Sequence, residues 1–188
     1  WAFEGDRVKN FSYWESLFSP EECQQIIDYA NLFQKDIGSV GSVAELNSQV
    51  RDSNIVWISP APDIVWVYQK LTDAILSLNE SYFGFDLFGI AESLQFSEYH
   101  APSGFYGKHT DSMSDYVIRK LSVSLQLSDP KDYKGGELKL YGTDNPDIMK
   151  KEQGTLICFP SWTLHEVSPV TEGKRCALVG WVTGKPFK

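Results

Sequence analysis

Hydrophobic and polar residues follow two different periods along this chain. In the first half the period is helical. Ser19-Pro20-Glu21-Glu22 reads as a helix start: Ser19 can cap, Pro20 suits the first helical position, and Glu22 completes a capping box. Cys23, Ile26, Ile27 and Ala30 then form an apolar stripe. Residues 38 to 49 are rich in Gly and Ser and read as a loop, and Arg51 to Ile58 reads as a strand. A second helix is predicted from about Pro62 to Leu78, because Ile64, Val67, Leu71, Ile75 and Leu78 fall on one face. One apolar face on each helix predicts that both pack against a sheet.

From about Ala91 the period becomes two. Strands are predicted at Ser93–Tyr99, Lys120–Ser128, Glu137–Tyr141, Thr155–Phe159 and Arg175–Thr183. Pro102-Ser103-Gly104, Asp129-Pro130, Gly135-Gly136, Asn145-Pro146 and Glu172-Gly173 supply the turn signals between them. No helix-length pattern separates the strands, so antiparallel hairpins are expected. The predicted fold class is α+β, mainly β: a β-sandwich or jelly roll with N-terminal helices packed on one outer face. The length of 188 residues suits a single domain over 1–188, with helical support mainly at 15–80 and a jelly-roll core mainly at 91–184.

Charge narrows the partners. Seventeen Lys and Arg against 25 Asp and Glu give a net charge of −8. Nucleic acid and anionic membrane surfaces are therefore not expected partners, and no run of about 18 apolar residues predicts a transmembrane helix. A monomer or weak dimer in the cytoplasm is the expectation. The chain opens on Trp1, so a trimmed start is expected. Cys23, Cys158 and Cys176 are odd in number and far apart, which predicts buried free thiols, not disulfides or a thiolate zinc site.

The Lys120–Ser128 strand alternates cleanly. Leu121, Val123, Leu125 and Leu127 point one way, and Ser122, Ser124, Gln126 and Ser128 the other. A polar face in water is the ordinary reading for an antiparallel sheet. Small neutral hydrogen-bonding groups also suit the wall of a polar cavity. The last strand bears on the choice, since Arg175 shares a face with Ala177, Val179 and Trp181. Such an arginine either curls out to solvent or pairs with an anion inside, where its fork can grip a carboxylate.

Three histidines are present. His109-Thr110-Asp111 is an H-x-D, and on extended backbone residues two apart project from the same face. Alone this is a weak signal. Together with His165 it supplies the two histidines and one carboxylate of non-haem Fe(II) sites, which leave coordination positions open. Two His and a carboxylate also fit hydrolytic zinc. His100 faces away from Tyr99 and is left out of the set, and Lys108 is expected to point outward.

Taken in order, Tyr99-His100-Ala101-Pro102-Ser103-Gly104-Phe105-Tyr106-Gly107-Lys108-His109-Thr110-Asp111, Arg119 to Ser128, Gly135-Gly136-Glu137-Leu138, Phe159-Pro160-Ser161, His165-Glu166-Val167, Arg175 and Trp181 resemble the Fe(II)- and 2-oxoglutarate-dependent dioxygenases. The resemblance is to the prolyl 4-hydroxylase-like branch, in its bacterial and phage form. It covers Leu94 to Trp181 strongly and the rest loosely. It implies a double-stranded β-helix (jelly roll), with Fe(II), 2-oxoglutarate and O2 as cofactor and cosubstrates and ascorbate as a candidate reductant. It matches His109, Asp111 and His165 to the iron ligands and Arg175 to the partner of the distal carboxylate of 2-oxoglutarate. Tyr99 and Tyr106 match pocket tyrosines, and Leu138 and Trp181 match pocket walls. Gln126 stands where such enzymes often carry a tyrosine; its amide could donate to the same carboxylate.

The implied reaction hydroxylates a C–H bond, foremost on a prolyl residue of a peptide or protein, with 2-oxoglutarate converted to succinate and CO2. The same chemistry on a free small molecule or another side chain, hydrolytic zinc chemistry, and a non-enzymatic jelly-roll binding module remain alternatives. Arg51 is a candidate substrate contact. The loop 38–49 and Ser112–Tyr116 are expected beside the mouth of the site. Trp1, Trp14 and Trp57 either line a peptide groove or pack as core.

Overall fold

Ser19 opens the first helix as its neighbours dictate. Its hydroxyl accepts from the Glu22 amide, and the Glu22 carboxylate accepts from the Ser19 amide at 2.8 Å, closing a capping box. The computed structural model describes residues 8–38, 50–112, 117–142 and 145–186. In chain order its elements are β1 (Ser12–Trp14), α1 (Pro20–Ala30), β2 (Asp36–Ile37), β3 (Arg51–Asp52), β4 (Asn54–Ile58) and α2 (Val65–Leu78). A π-helical turn (Asn79–Phe83) extends α2. Then follow β5 (Leu87–Ile90), β6 (Leu94–His100), β7 (Phe105–His109), β8 (Arg119–Gln126), β9 (Tyr133–Gly135) and β10 (Leu138–Tyr141). The last four strands are β11 (Asp147–Ile148), β12 (Leu156–Pro160), β13 (Leu164–Val167) and β14 (Val170–Gly184).

The strands form two sheets. The larger runs β1-β12-β8-β14-β6-β4-β2, with β5 and β9 also pairing to β14; the smaller runs β11-β10-β13-β7-β3. Both helices share one hydrophobic cluster with the larger sheet. Cys23, Ile26 and Ala30 of α1 and Val67, Leu71 and Ile75 of α2 meet Val56, Phe96, Leu121, Val123, Leu125, Leu178 and Val182 there. Each Leu or Ile so buried contributes about 1.5–3 kcal/mol. No helix among the described residues is long and apolar enough to cross a membrane.

Strand register decides what the other face carries, because directly opposed residues share a side. On one flank of β14, Arg175 opposes Tyr99, Ala177 opposes Ser97 and Val179 opposes Gln95. On the other flank Ala177 opposes Gln126, Val179 opposes Ser124 and Trp181 opposes Ser122. Tyr99, Gln95, Ser97, Ser122, Ser124, Gln126 and Arg175 are all buried. The polar face of the β8 strand is therefore buried, not a solvated surface. These central strands are buried on both sides, one apolar and one polar.

Three expectations change. The strand foreseen at Arg51–Ile58 breaks at Ser53: Arg51 and Asp52 pair with β7 in the small sheet, and Asn54–Ile58 pairs with β6 in the large one. The segment thus hands the chain from one sheet to the other and leaves Arg51 inside. Glu172-Gly173, read as a turn, lies within β14, which runs for 15 residues. Gly173 takes φ +70 beside a register shift, so it bends a continuous strand as a bulge does. Trp14 and Trp57 neither line one groove nor pack as core, being 41% and 46% exposed. Trp14 opposes Leu156 on the helix side of the sheet near one edge, and Trp57 opposes Gln95 on the cavity side near the other. Trp1, most of the 38–49 loop and residues 113–116 lie outside the described residues. Cys23, Cys158 and Cys176 are buried free thiols.

Candidate metal centre

His109 ends β7, Asp111 follows two residues later, and His165 lies on β13 directly opposite His109. A non-local strand pairing thus brings together two candidate donors 56 residues apart in the chain. The Asp111 amide donates to the Ser161 carbonyl at 2.9 Å, fixing the turn just beyond His109. One candidate donor atom from each of His109, Asp111 and His165 lies within 4.8 Å of the others.

Backbone carbonyls set both rings. His109 Nδ1 lies 2.7 Å from the Gly107 carbonyl, and His165 Nδ1 lies 2.8 Å from the Thr163 carbonyl. A carbonyl only accepts, so each Nδ1 carries the proton and each Nε2 presents a lone pair. Both Nε2 atoms face Asp111, at 3.6 Å from Oδ1 for His109 and 3.4 Å from Oδ2 for His165. These separations are long for hydrogen bonds and short enough for a shared ion. Burial, then the nearness of His165, lowers the His109 pKa to about 4 and keeps the ring neutral, as a ligand must be. Tyr106 stacks on His109 at 3.6 Å between ring centroids, and Phe159 packs edge-on against His165 at 4.9 Å.

Asp111 is oriented from the β8 strand. The Ser122 hydroxyl donates to Asp111 Oδ2 at 2.7 Å and lies 3.1 Å from Ser161 Oγ. Arg119 donates to the Asp111 carbonyl at 3.2 Å, is held by Glu92 at 2.6 and 2.5 Å, and lies over the Trp181 ring at 4.1 Å. Ser122→Ala frees the carboxylate to rotate. It is expected to weaken metal binding about 10- to 100-fold without unfolding the protein, as read by anaerobic Fe(II) titration beside circular dichroism.

A second feature lies deeper on the same sheet face. Arg175 is 1% exposed. One terminal nitrogen donates to Gln126 Oε1 at 2.9 Å, its Nε has no partner, and the guanidinium lies 5.4 Å from the Tyr99 ring centre. Trp181 Nε1 is also buried without a partner. Among the described residues Arg175 is held by neutral groups only; a buried cation so held costs free energy until an anion arrives, so this end of the site fits a carboxylate ligand. Leu138, 5% exposed, belongs to the apolar cluster that also contains Tyr99 and Tyr133. The Gln126 carbonyl accepts from Arg175 and its NH2 donates to Ser124 at 3.3 Å.

Arg51 is buried as well. It donates to Ser53 at 2.7 Å, to Gln95 at 2.8 Å and to Ser97 at 3.4 Å, and it covers the Tyr106 ring at 4.4 Å. Arg51, Tyr106 and His109 thus form one stacked column. His100 lies outside this site, bonded to Glu98, and Lys108 is exposed over the Tyr141 ring. Ser122, Arg119, Tyr133, Gln95 and Ser97 were not singled out from the sequence as site residues. The alternation Gln95-Ser97-Tyr99 on β6 carried the same signal as that on β8; nothing local marked Arg119 or Tyr133.

Residues 94–183 match the family described as the 2OG-Fe(II) oxygenase superfamily. A PKHD-type hydroxylase of Picosynechococcus sp. is 44% identical over 91 residues, which cover 48% of this chain and 41% of that protein. The chain spans about two fifths of the length of the curated relatives it matches. Among solved structures, a Pseudomonas putida prolyl-4-hydroxylase aligns with a TM-score of 0.75 at 20% identity, over 94% of each chain. A prolyl hydroxylase from Trichoplax adhaerens, in complex with a hypoxia inducible factor oxygen degradation domain peptide fragment, aligns at 0.78 and 19%, over 93% of this chain and 84% of that one. At these identities the two structures speak for the fold. The matched segment holds all three clustered donors and Arg175, so the similarity to the 2OG-Fe(II) oxygenase superfamily covers the whole candidate site.

Proposed function

We propose that this chain is a 2-oxoglutarate-dependent hydroxylase whose substrate is a prolyl residue in a peptide or protein. His109, Asp111 and His165 would hold Fe(II), and Arg175 would take the distal carboxylate of 2-oxoglutarate. When bound, iron and 2-oxoglutarate supply the oxidising chemistry by which O2 is divided between the hydroxylated product and succinate. The observation that carries the reading is the placement of an uncompensated buried arginine on the same sheet face as the serine that holds Asp111.

The chain's own residues bind, orient and exclude water. The Gly107 and Thr163 carbonyls fix the two imidazole tautomers, and Ser122 fixes the carboxylate. Tyr106 and Phe159 cover the histidine rings with aromatic surface. Tyr99 and Gln126 flank Arg175, while Leu138 and Trp181 wall the cosubstrate side. Arg51, beyond Tyr106, is placed to meet the substrate. Support for a peptide comes from the Trichoplax relative in fold, which was solved with one. A second reading, hydroxylation of a carboxylate-bearing small molecule, is favoured by Arg51 itself, a cation buried beside the metal centre.

Anaerobic addition of Fe(II) and then 2-oxoglutarate to the purified protein tests the proposal. A weak visible charge-transfer band that is absent in His109→Ala is expected. Addition of O2 with proline-containing peptides, or with free amino acids, should then give a product heavier by one oxygen, and which substrates react separates the two readings. If neither iron nor 2-oxoglutarate binds, the hydroxylase reading is wrong.

A further inference from the structure

A cleft lies where the edge strand β1 meets the end of α2. Its volume is about 360 Å³, within the usual range for ligand sites. Tyr13, Trp14 and Glu15 line it from β1 and the residue after it; Ser77, Ser81 and Tyr82 line it from α2 and the π-helical turn. Tyr13, Trp14 and Tyr82 are exposed. A lone exposed ring is ordinary, but three converging on one cleft mark a binding surface.

The local sequence holds these rings in place. The π-helical turn that extends α2 ends at Gly84, whose φ is +67. The Gly84 amide donates to the Asn79 carbonyl at 2.7 Å. The Asn79 side chain accepts from the Phe85 amide at 3.0 Å and donates to the Phe85 carbonyl at 2.9 Å. The Lys9 amide donates to the Tyr82 carbonyl at 3.2 Å and ties the segment before β1 to the turn. Backbone on both sides of the cleft is therefore held, and π-helical turns of this kind recur at functional sites.

Charge and chemistry decide what fits. Glu15 pairs with Lys150, which also lies over the Tyr13 ring at 4.6 Å. An ionic ligand thus meets no unbalanced charge in this lining. The cleft offers aromatic faces edged by donors: the Tyr82 phenol, the Trp14 indole and the hydroxyls of Ser77 and Ser81. A proline-rich segment is the complement. Its polyproline II helix makes no internal hydrogen bonds, so its carbonyls are open to donors, and its rings dock on aromatic-lined grooves.

The cleft also leads toward the metal centre. Tyr82 precedes Phe83, Phe83 stacks on Phe85 at 6.0 Å, and Phe85 meets the exposed Trp162 edge-on at 5.6 Å. Trp162 follows Ser161, whose carbonyl accepts from the Asp111 amide. A row of rings thus joins the cleft to the residue beside a candidate metal donor. We infer that the cleft is a docking site for proline-rich segments of the substrate polypeptide, separate from the metal centre, gripping the chain while another of its residues is presented for reaction. The inference rests on the proposed prolyl substrate and adds to it where the rest of that substrate lies.

The first test is binding without turnover. Metal-free protein is titrated by calorimetry with decaproline and with a glycine–serine decapeptide. Decaproline is expected to bind and the control peptide not to. Tyr82→Ala and Trp14→Ala are each expected to weaken decaproline about tenfold or more. Both side chains are exposed, and Fe(II) uptake checks that each variant is folded. Failure of decaproline to bind, equal binding of the two peptides, or an affinity that either substitution leaves unchanged overturns the inference. In turnover, Tyr82→Ala should raise the KM for a long proline-rich peptide more than the KM for a tripeptide with one central proline; equal changes also overturn it. If decaproline docks and both variants lose it, yet the loaded enzyme hydroxylates no prolyl peptide, the prolyl reading fails and the cleft keeps its ligand.

Discussion

Arg175→Met is expected to weaken 2-oxoglutarate binding about 30-fold or more while changing the melting temperature of the ligand-free protein little. The two halves of this result have different origins. In the free protein the guanidinium is buried with neutral partners only, a standing cost that methionine removes. Against that, the Gln126 carbonyl loses its donor. Each effect is about 1–3 kcal/mol, so they largely cancel, and a change under about 4 °C is expected for a chain of this size. With ligand, loss of a desolvated charge partner costs on the order of 2–5 kcal/mol, or about 30- to several thousandfold in affinity. Wild-type protein at a hundred times its Kd gains about 2.7 kcal/mol from ligand, and the variant gains about 0.9 kcal/mol or less at the same concentration. Thermal melts with and without 2-oxoglutarate read both halves. A variant stabilised by 2-oxoglutarate as much as the wild type would remove Arg175 from the site.

The second large effect belongs to Asp111. Asp111→Asn keeps the size of the side chain, and its carbonyl can still accept from Ser122, so the fold is retained. It removes the anion from the three clustered donors. Fe(II) affinity is expected to fall at least about a hundredfold, with turnover lost. Protonation of His109 cannot be the cause. The Asp111 charge raises the His109 pKa, against burial and His165, which lower it. Without that charge the His109 pKa falls further, and the ring stays neutral at every pH where the protein is assayed. Iron content after anaerobic desalting is the measurement, and wild-type occupancy in Asp111→Asn would exclude the carboxylate as a ligand.

Much of this site could be read in the chain. The alternation in β8 announced a polar face, and an H-x-D with a distal histidine announced its chemistry. What the sequence left open was whether that face was solvated or covered. The answer came from non-local pairing, because Gln126 and Ser122 face inward only once Ala177 and Trp181 stand beside them. The misses have local causes. Asp52-Ser53-Asn54 has the composition of a turn inside an otherwise strand-like run, and the chain changes sheet there, since each neighbour of Ser53 finds a different partner strand. Gly173 has the composition of a turn and serves as a bend inside a long strand. Tyr133 lies on a three-residue strand, too short to show a period. Arg119 depends on Glu92, 27 residues away, and no local pattern encodes such a partner.

The two-sided burial of β6, β8 and β14 constrains how this protein can go wrong. Many strands tolerate a slipped partner when one side is open to solvent. Here a shift of one residue would turn the charge of Arg175 toward Val123, Leu125 and the helices, and would turn Leu178 and Cys176 toward Ser122 and Gln126. Core and site would be lost in the same step. A mispaired chain therefore gains neither the hydrophobic energy nor the ligand energy of the correct one, and the residues that equip the cavity for chemistry also act as a check on its assembly.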